Sequence, residues 1–166
     1  TYAIYHDADA PPSVARAAAE LQQHLGLATG VQPEIVTEPR SPMIALGESP
    51  AARAAGITAG ELPWEASRIA TRGDDLFIVG RDLPADGNTP LGGRSFGTLF
   101  GAFAFLEEVA GVRWLMPGEH GTHVPRNPGL RVPDLDRIEK PGFEYRKLSG
   151  VCTVGNDWYL HQRFDQ

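Results

Sequence analysis

The sequence predicts an α+β fold in which helices lie on a β-sheet, and three observations predict it. Phe96, Leu99, Phe100, Phe103, Leu106 and Val109 fall at helical spacing and predict one long helix with a buried face. Val14, Ala17, Ala18, Leu21 and Leu25 form a second apolar stripe, with Arg16, Glu20, Gln22 and Gln23 pointing elsewhere. Between these helices lie short apolar and β-branched runs, two of which, Ser67 to Arg72 and Leu76 to Gly80, flank Gly73-Asp74-Asp75 as the arms of an antiparallel hairpin do.

Taken in order, Tyr2 to His6 reads as the first strand, and Pro11-Pro12 then stops the extended run. Ser13 is in place to cap the first helix, and Gly26 is in place to end it after Leu25. Glu34 to Thr37 and Met43 to Gly47 read as strands bounded by Pro33, Pro39 and Pro42. Ser49-Pro50 opens a short helix with Gly56 beyond its end, because serine accepts from a first-turn N–H and proline needs none. Arg81 to Arg94 is rich in Gly, Pro, Asp and Asn and reads as a loop. The long helix follows, and Gly97 and Gly101 bring it close to the sheet at an interior cost of about 1 kcal/mol each relative to alanine. Gly111 closes it, and Val112 to Leu115 and Thr122 to Pro125 read as two short strands around Pro117-Gly118.

Composition narrows the function classes. The chain has 166 residues, 42% hydrophobic and 22% charged, which fits a folded domain of roughly 100 to 200 residues with at most a piece of another. Its longest uncharged apolar stretch, Ser95 to Leu106, is far short of the roughly 20 residues that span a bilayer, so no membrane partner is expected. The net charge is -6 and the basic residues are scattered, so no nucleic-acid partner is expected either. Cys152 alone supports neither an intrachain disulfide nor a cysteine zinc finger, and with no His or basic cluster beside it no nucleophile role. Thr1 to His6 reads as a strand and not a signal peptide, so the expectation is a cytoplasmic chain or a trimmed one, which includes the secreted and periplasmic cases.

After Pro125 the character changes. Arg126 to Gly142 carries Pro128, Pro133 and Pro141 among alternating charges, so the expected division is a domain over residues 1–126, a linker over 127–142 and the start of a second domain over 143–166. Phe143 to Leu148 alternates like a strand, but the residues after Gly142 are too few to build a core and are expected to pair with something else.

The stretch Arg94-Ser95-Phe96-Gly97-Thr98-Leu99-Phe100-Gly101-Ala102-Phe103-Ala104-Phe105-Leu106-Glu107, followed by Gly111-Val112-Arg113-Trp114-Leu115-Met116-Pro117-Gly118, resembles the N-terminal domain of alpha-glucuronidase-like glycoside hydrolases. That domain is similar to the one preceding the barrel in family 20 beta-N-acetylhexosaminidases. Ile44 to Pro50 and the hairpin ending Ile78-Val79-Gly80 match in order, and the resemblance covers about residues 1–126. It implies a mixed sheet with helices packed mainly on one face, then a linker and the first strand of a truncated (β/α)8 barrel. It also implies the function: a non-catalytic accessory domain of a carbohydrate-active enzyme, partnered by the barrel of its own parent chain, meeting carbohydrate through that parent. Tyr145-Arg146 is similar to the aromatic-arginine pair of the family's first barrel strand, which makes Arg146 the implied sugar contact and Trp158 a second, as a stacking platform. Many relatives read Arg-Gly-Thr where Ser95 and Phe96 separate Arg94 from Gly97 here, so no role carries over to Arg94.

No catalytic residue is expected within these residues. Glycosidases set two carboxyl groups about 5 to 9.5 Å apart across a cleft. Glu107-Glu108 are helix neighbours about 100° apart and Asp74-Asp75 lie in a turn, so both read as solvated charges. No cofactor motif is present. Glu119-His120-Gly121-Thr122-His123 carries the residue types of a zinc site but not the His-Glu-x-x-His helix, and His6-Asp7-Ala8-Asp9 reads as a strand end, so no metal is expected. Gly92-Gly93-Arg94-Ser95 before a helix invites an anion, yet Ser95 reads better as the helix N-cap. Trp64 and Trp114 read as core or interface residues, Trp114 as core. Two other readings remain, a stand-alone carbohydrate-binding module presenting exposed Trp residues and a small metal-dependent hydrolase built on His120 and His123.

Overall fold

The structure is a computed structural model that describes residues 2–90, 92–143, 146 and 156–164. Among the described residues, eight strands and four α-helices follow one another as β1 (Ala3–His6), α1 (Pro12–Thr29), β2 (Ile35–Val36), β3 (Met43–Leu46), α2 (Pro50–Ala54), β4 (Ser67–Arg72), β5 (Asp75–Gly80), α3 (Gly97–Glu108), β6 (Arg113–Trp114), β7 (Thr122–His123), β8 (Asp136–Glu139) and α4 (Asn156–His161). Six strands form one mixed sheet in the order β2-β1-β3-β5-β4-β8, and β6 and β7 form a separate antiparallel pair. β1, β2, β3 and β5 run parallel, β4 joins β5 as the antiparallel hairpin, and β8 closes the edge against β4.

Alternation along the strands sorts side chains onto two faces. Ile4, Ile44, Leu46, Ile69, Leu76 and Ile78 point to α1 and α3 and make the larger core. Tyr5, Ala45, Ala70, Phe77 and Val79 face the other way and are covered by Ala52 of α2 with Ile57 and Leu62 of the segment behind it. The long helices thus share one face. Every residue of α3 from Gly97 to Leu106 is buried, so it is apolar on all sides, unlike the one-sided α1.

Several local expectations are corrected. α1 runs through Gly26 to Thr29, and the residue in the left-handed conformation is Gly30 at φ 80°, whose N–H donates to Gly26 O at 2.9 Å. The buried stripe continues to Ala28, and that burial outweighs the cost of one interior glycine. Ser13 does not cap α1, because the N-cap position is Pro11. Ser95 does not cap α3 either, since its hydroxyl is bonded elsewhere and the N-cap position is Phe96. Ser49 does cap α2, accepting from Ala52 N–H at 3.2 Å.

The stretch expected as linker also differs. Asp136–Glu139 pairs residue by residue with β4, Ser67 opposite Glu139 and Ala70 opposite Asp136. Asp136 takes hydrogen bonds from Arg68 at 2.9 and 3.0 Å and from Arg72 at 2.8 Å, and these two guanidinium groups hold its carboxyl at about 2, below the ordinary value. Phe143 is exposed at a bend, and the rest of the expected strand through Leu148 lies, apart from Arg146, outside the described residues, as does Cys152.

Candidate functional site

A groove of about 370 Å³ opens where α3, the start of β4 and the chain beyond β8 meet. Its walls come from Glu65 and Ser67, from Phe100 and Ala104 on α3, and from Arg146 and Gln162. Glu65 is the least expected member. It holds φ 61°, the left-handed region that non-glycine residues seldom occupy. Its N–H donates to Ser95 Oγ at 2.8 Å, and Ser95 in turn donates to the Arg81 carbonyl. This pinning of the backbone turns the buried Glu65 carboxylate to Arg146, whose Nη2 lies 2.7 Å from Oε2.

Arg146 spreads its remaining donors over protein carbonyls, with Nε at 2.7 Å from Arg163 O and Nη1 at 2.6 Å from Phe143 O. The implied sugar-contact arginine therefore lines the groove with its guanidinium plane fixed by three acceptors. Trp158 is not brought there. It packs half-buried on the larger core and donates from Nε1 to Trp114 O at 3.1 Å. The other carboxylates at the rim are paired with arginines, Glu107 with Arg163 and Glu108 with Arg137, and Glu139 lies 3.1 Å from Arg137 Nε. The arrangement offers fixed hydrogen-bonding planes across a neutral rim.

A second buried cluster docks α4. Trp114 is buried as expected from the sequence, stacked on His161 with ring centroids 4.4 Å apart at 10°, and edge-on to Phe103 and His24. His161 Nε2 lies 3.2 Å from Glu20 Oε2, and Arg16 Nε donates to Glu20 Oε1 at 2.8 Å. Burial alone would raise the Glu20 carboxyl, but the bonds from His161 and Arg16 outweigh it and hold it below its ordinary value. Burial lowers His24, against the opposing pull of Glu20.

Asp82, at the carboxyl end of β5, lines a smaller cavity of about 250 Å³ with Pro11, Gly47 and Gly80. It supplies the cap that Ser95 does not. Its Oδ1 accepts from Thr98 N–H at 3.0 Å, and the Thr98 hydroxyl donates to Oδ2. Burial pushes the carboxyl up to about 6, against hydrogen bonds from Thr98 and Ser13 that would lower it. With the folded value raised above the unfolded one, this contribution is fully present below about pH 4, declines as pH rises to about 6, and is flat above. The span is at most about 3 kcal/mol. Asp82→Asn is expected to remove that decline from urea-unfolding free energies measured from pH 4 to 7, and equal slopes in variant and parent would refute the assignment.

The other candidates stand apart. His120 is exposed, 3.8 Å from Glu119 across an ion pair, and His123 is exposed on β7 opposite Arg113. Trp64 is covered by the Arg81 guanidinium at 3.5 Å, so none of the three tryptophans presents an open face like that of the stand-alone binding module. Arg94 braces its own loop by donating to Pro84 O at 3.1 Å. Glu65 and Asp82 escape sequence reasoning because each acts on a partner far along the chain, and neither a left-handed glutamate nor a remote cap leaves a local pattern.

No family model and no curated protein matches the chain. Solved structures do. A family GH115 4-O-methyl-alpha-glucuronidase with specificity for decorated arabinogalactans matches over 87% of this chain and 18% of its own, at a TM-score of 0.57 and 19% identity. The GH20 beta-N-acetylhexosaminidase from Streptomyces coelicolor A3(2) matches over 87% of this chain and 23% of its own, at a TM-score of 0.51 and 17% identity. At these identities the likeness is one of fold, a glycoside hydrolase-like fold, and the chain spans about a fifth of the length of either structure.

Proposed function

We propose that this chain is a non-catalytic accessory domain of a carbohydrate-active glycoside hydrolase, packing against and supporting a catalytic (β/α)8 barrel that opens within residues 143–166. The observation that carries the reading is the asymmetry of coverage: two glycoside hydrolases share this fold over 87% of the chain, yet it accounts for only 18% and 23% of them. The paired state of the rim carboxylates supports it, since Glu107 and Glu108 are each engaged by an arginine. The grip on the segment beyond β8 supports it too. Glu65 holds Arg146, and Trp114 and Glu20 hold α4, so the domain fixes the place from which a barrel would start. Arg146 is the residue we assign to a sugar contact in the parent, with Trp158 second.

Two measurements test this. The purified chain is expected to release no nitrophenol from a panel of 4-nitrophenyl glycosides, and turnover that follows the protein through purification would overturn the reading. In the gene's complete product, deletion of residues 2–126 is expected to abolish soluble glycosidase activity. A truncated enzyme as active and as soluble as the parent would remove the supporting role.

A further inference from the structure

One group in the groove has no role in holding the fold. Ser67 Oγ sits at the start of β4 in a residue 1% exposed, lines the cavity, and has no hydrogen-bond partner among the described residues. Buried hydroxyls are nearly always paired, because an unpaired one forfeits its hydration, and alanine would fill the same space without that loss. Gly101 keeps the hydroxyl's place open, since a Cβ there would lie 2.5 Å from Ser67 Oγ. Beside it stand the planar groups of Glu65, Arg146 and Gln162, the first two locked together and the third anchored by Nε2 to Trp114 O at 2.7 Å.

Charge selects the ligand class. Glu65, Glu107, Glu108 and Glu139 are offset by Lys140, Arg146 and Arg163 at the rim and by Arg137, which holds Glu108 and Glu139. The site is close to neutral, so it attracts neither an anion nor a cation strongly. Paired donors and acceptors at fixed spacing suit adjacent hydroxyls, and a volume of about 370 Å³ lies at the small end of ligand pockets, which run from about 300 to 1,000 Å³. We propose that the groove binds a neutral polyhydroxylated ligand the size of one or two sugar rings, with Ser67 Oγ bonding one of its hydroxyls. This goes beyond the supporting role, because it gives the domain a ligand of its own.

The test is a titration of the full chain with methyl β-D-glucopyranoside, methyl β-D-xylopyranoside and glucuronate, followed by backbone amide shifts. At least one neutral glycoside is expected to give saturable shifts at Ser67 and Gln162, and more strongly than glucuronate. Ser67→Ala is expected to weaken that binding about tenfold while melting no lower than the parent, which separates a ligand contact from a structural one. Ser67→Cys, which keeps the volume and a weak donor, serves as the second variant and is expected to fall between. No saturable shift with either neutral glycoside, tighter binding of glucuronate, or parental affinity in both variants would each overturn the proposal.

Discussion

Gly97→Ala is expected to lower the stability of the chain by about 3 kcal/mol or more, a drop of roughly 6 to 12 °C in Tm for a protein of this size. A Cβ at Gly97 would stand 2.4 Å from Ala66 O and 2.6 Å from Arg81 N, and the reciprocal Cβ at Gly80 would stand 2.0 Å from Thr98 N. These neighbours are backbone, so relief requires shifting α3 against β5, whose contact the Thr98 hydroxyl ties by accepting from Gly80 N–H at 2.9 Å. Gly101→Ala is the graded control. Its nearest neighbours are side-chain atoms of Ser67 and Ile78, which can give way, so about 1 to 3 kcal/mol is expected there, with Gly101→Leu costing more by wedging the helix away. If Gly97→Ala melted with the parent, the account of why this helix can lie so near the sheet would fail.

Phe103→Ala is expected to cost about 3 to 5 kcal/mol, the range for emptying a fully enclosed aromatic site. The ring is 0% exposed, with Trp114 at 5.4 Å and His161 at 4.8 Å between centroids. Because one of those neighbours belongs to α4, the cavity undermines the docking of that helix as well as the core. The Trp158 indole N–H, which donates to Trp114 O, is expected to lose its protection against hydrogen exchange at lower denaturant than the sheet amides do. A loss under about 1 kcal/mol, or an indole N–H as protected as in the parent, would mean that α4 is held by something other than this aromatic cluster.

The site and the fold differ in how far they can be read along the chain. The β4-β5 hairpin, the Ser49 cap and the burial of Trp114 follow from neighbours a few residues away: turn residues between apolar arms, a serine before proline, an aromatic residue beside the long helix. α1 is harder, because Gly26 looks like a stop until the burial of Ala28 beyond it is known. Strand β8 is hidden in a proline-rich, charged stretch, since its worth depends on Arg68 and Arg72 waiting for Asp136 on the neighbouring strand.

The groove shows the same limit more sharply. Arg146 is picked out by a family resemblance, whereas its partner Glu65 lies in Pro63-Trp64-Glu65-Ala66, which reads as an ordinary loop. Periodicity and turn chemistry reach across a few residues, so the sequence by itself determined where helices and strands stand and which of their faces are apolar. Only the tertiary structure decided which serine caps and which bridges, which aspartate ends a helix, and which glutamate meets an arginine, because those are encounters between distant segments whose geometry depends on the whole sheet being assembled first.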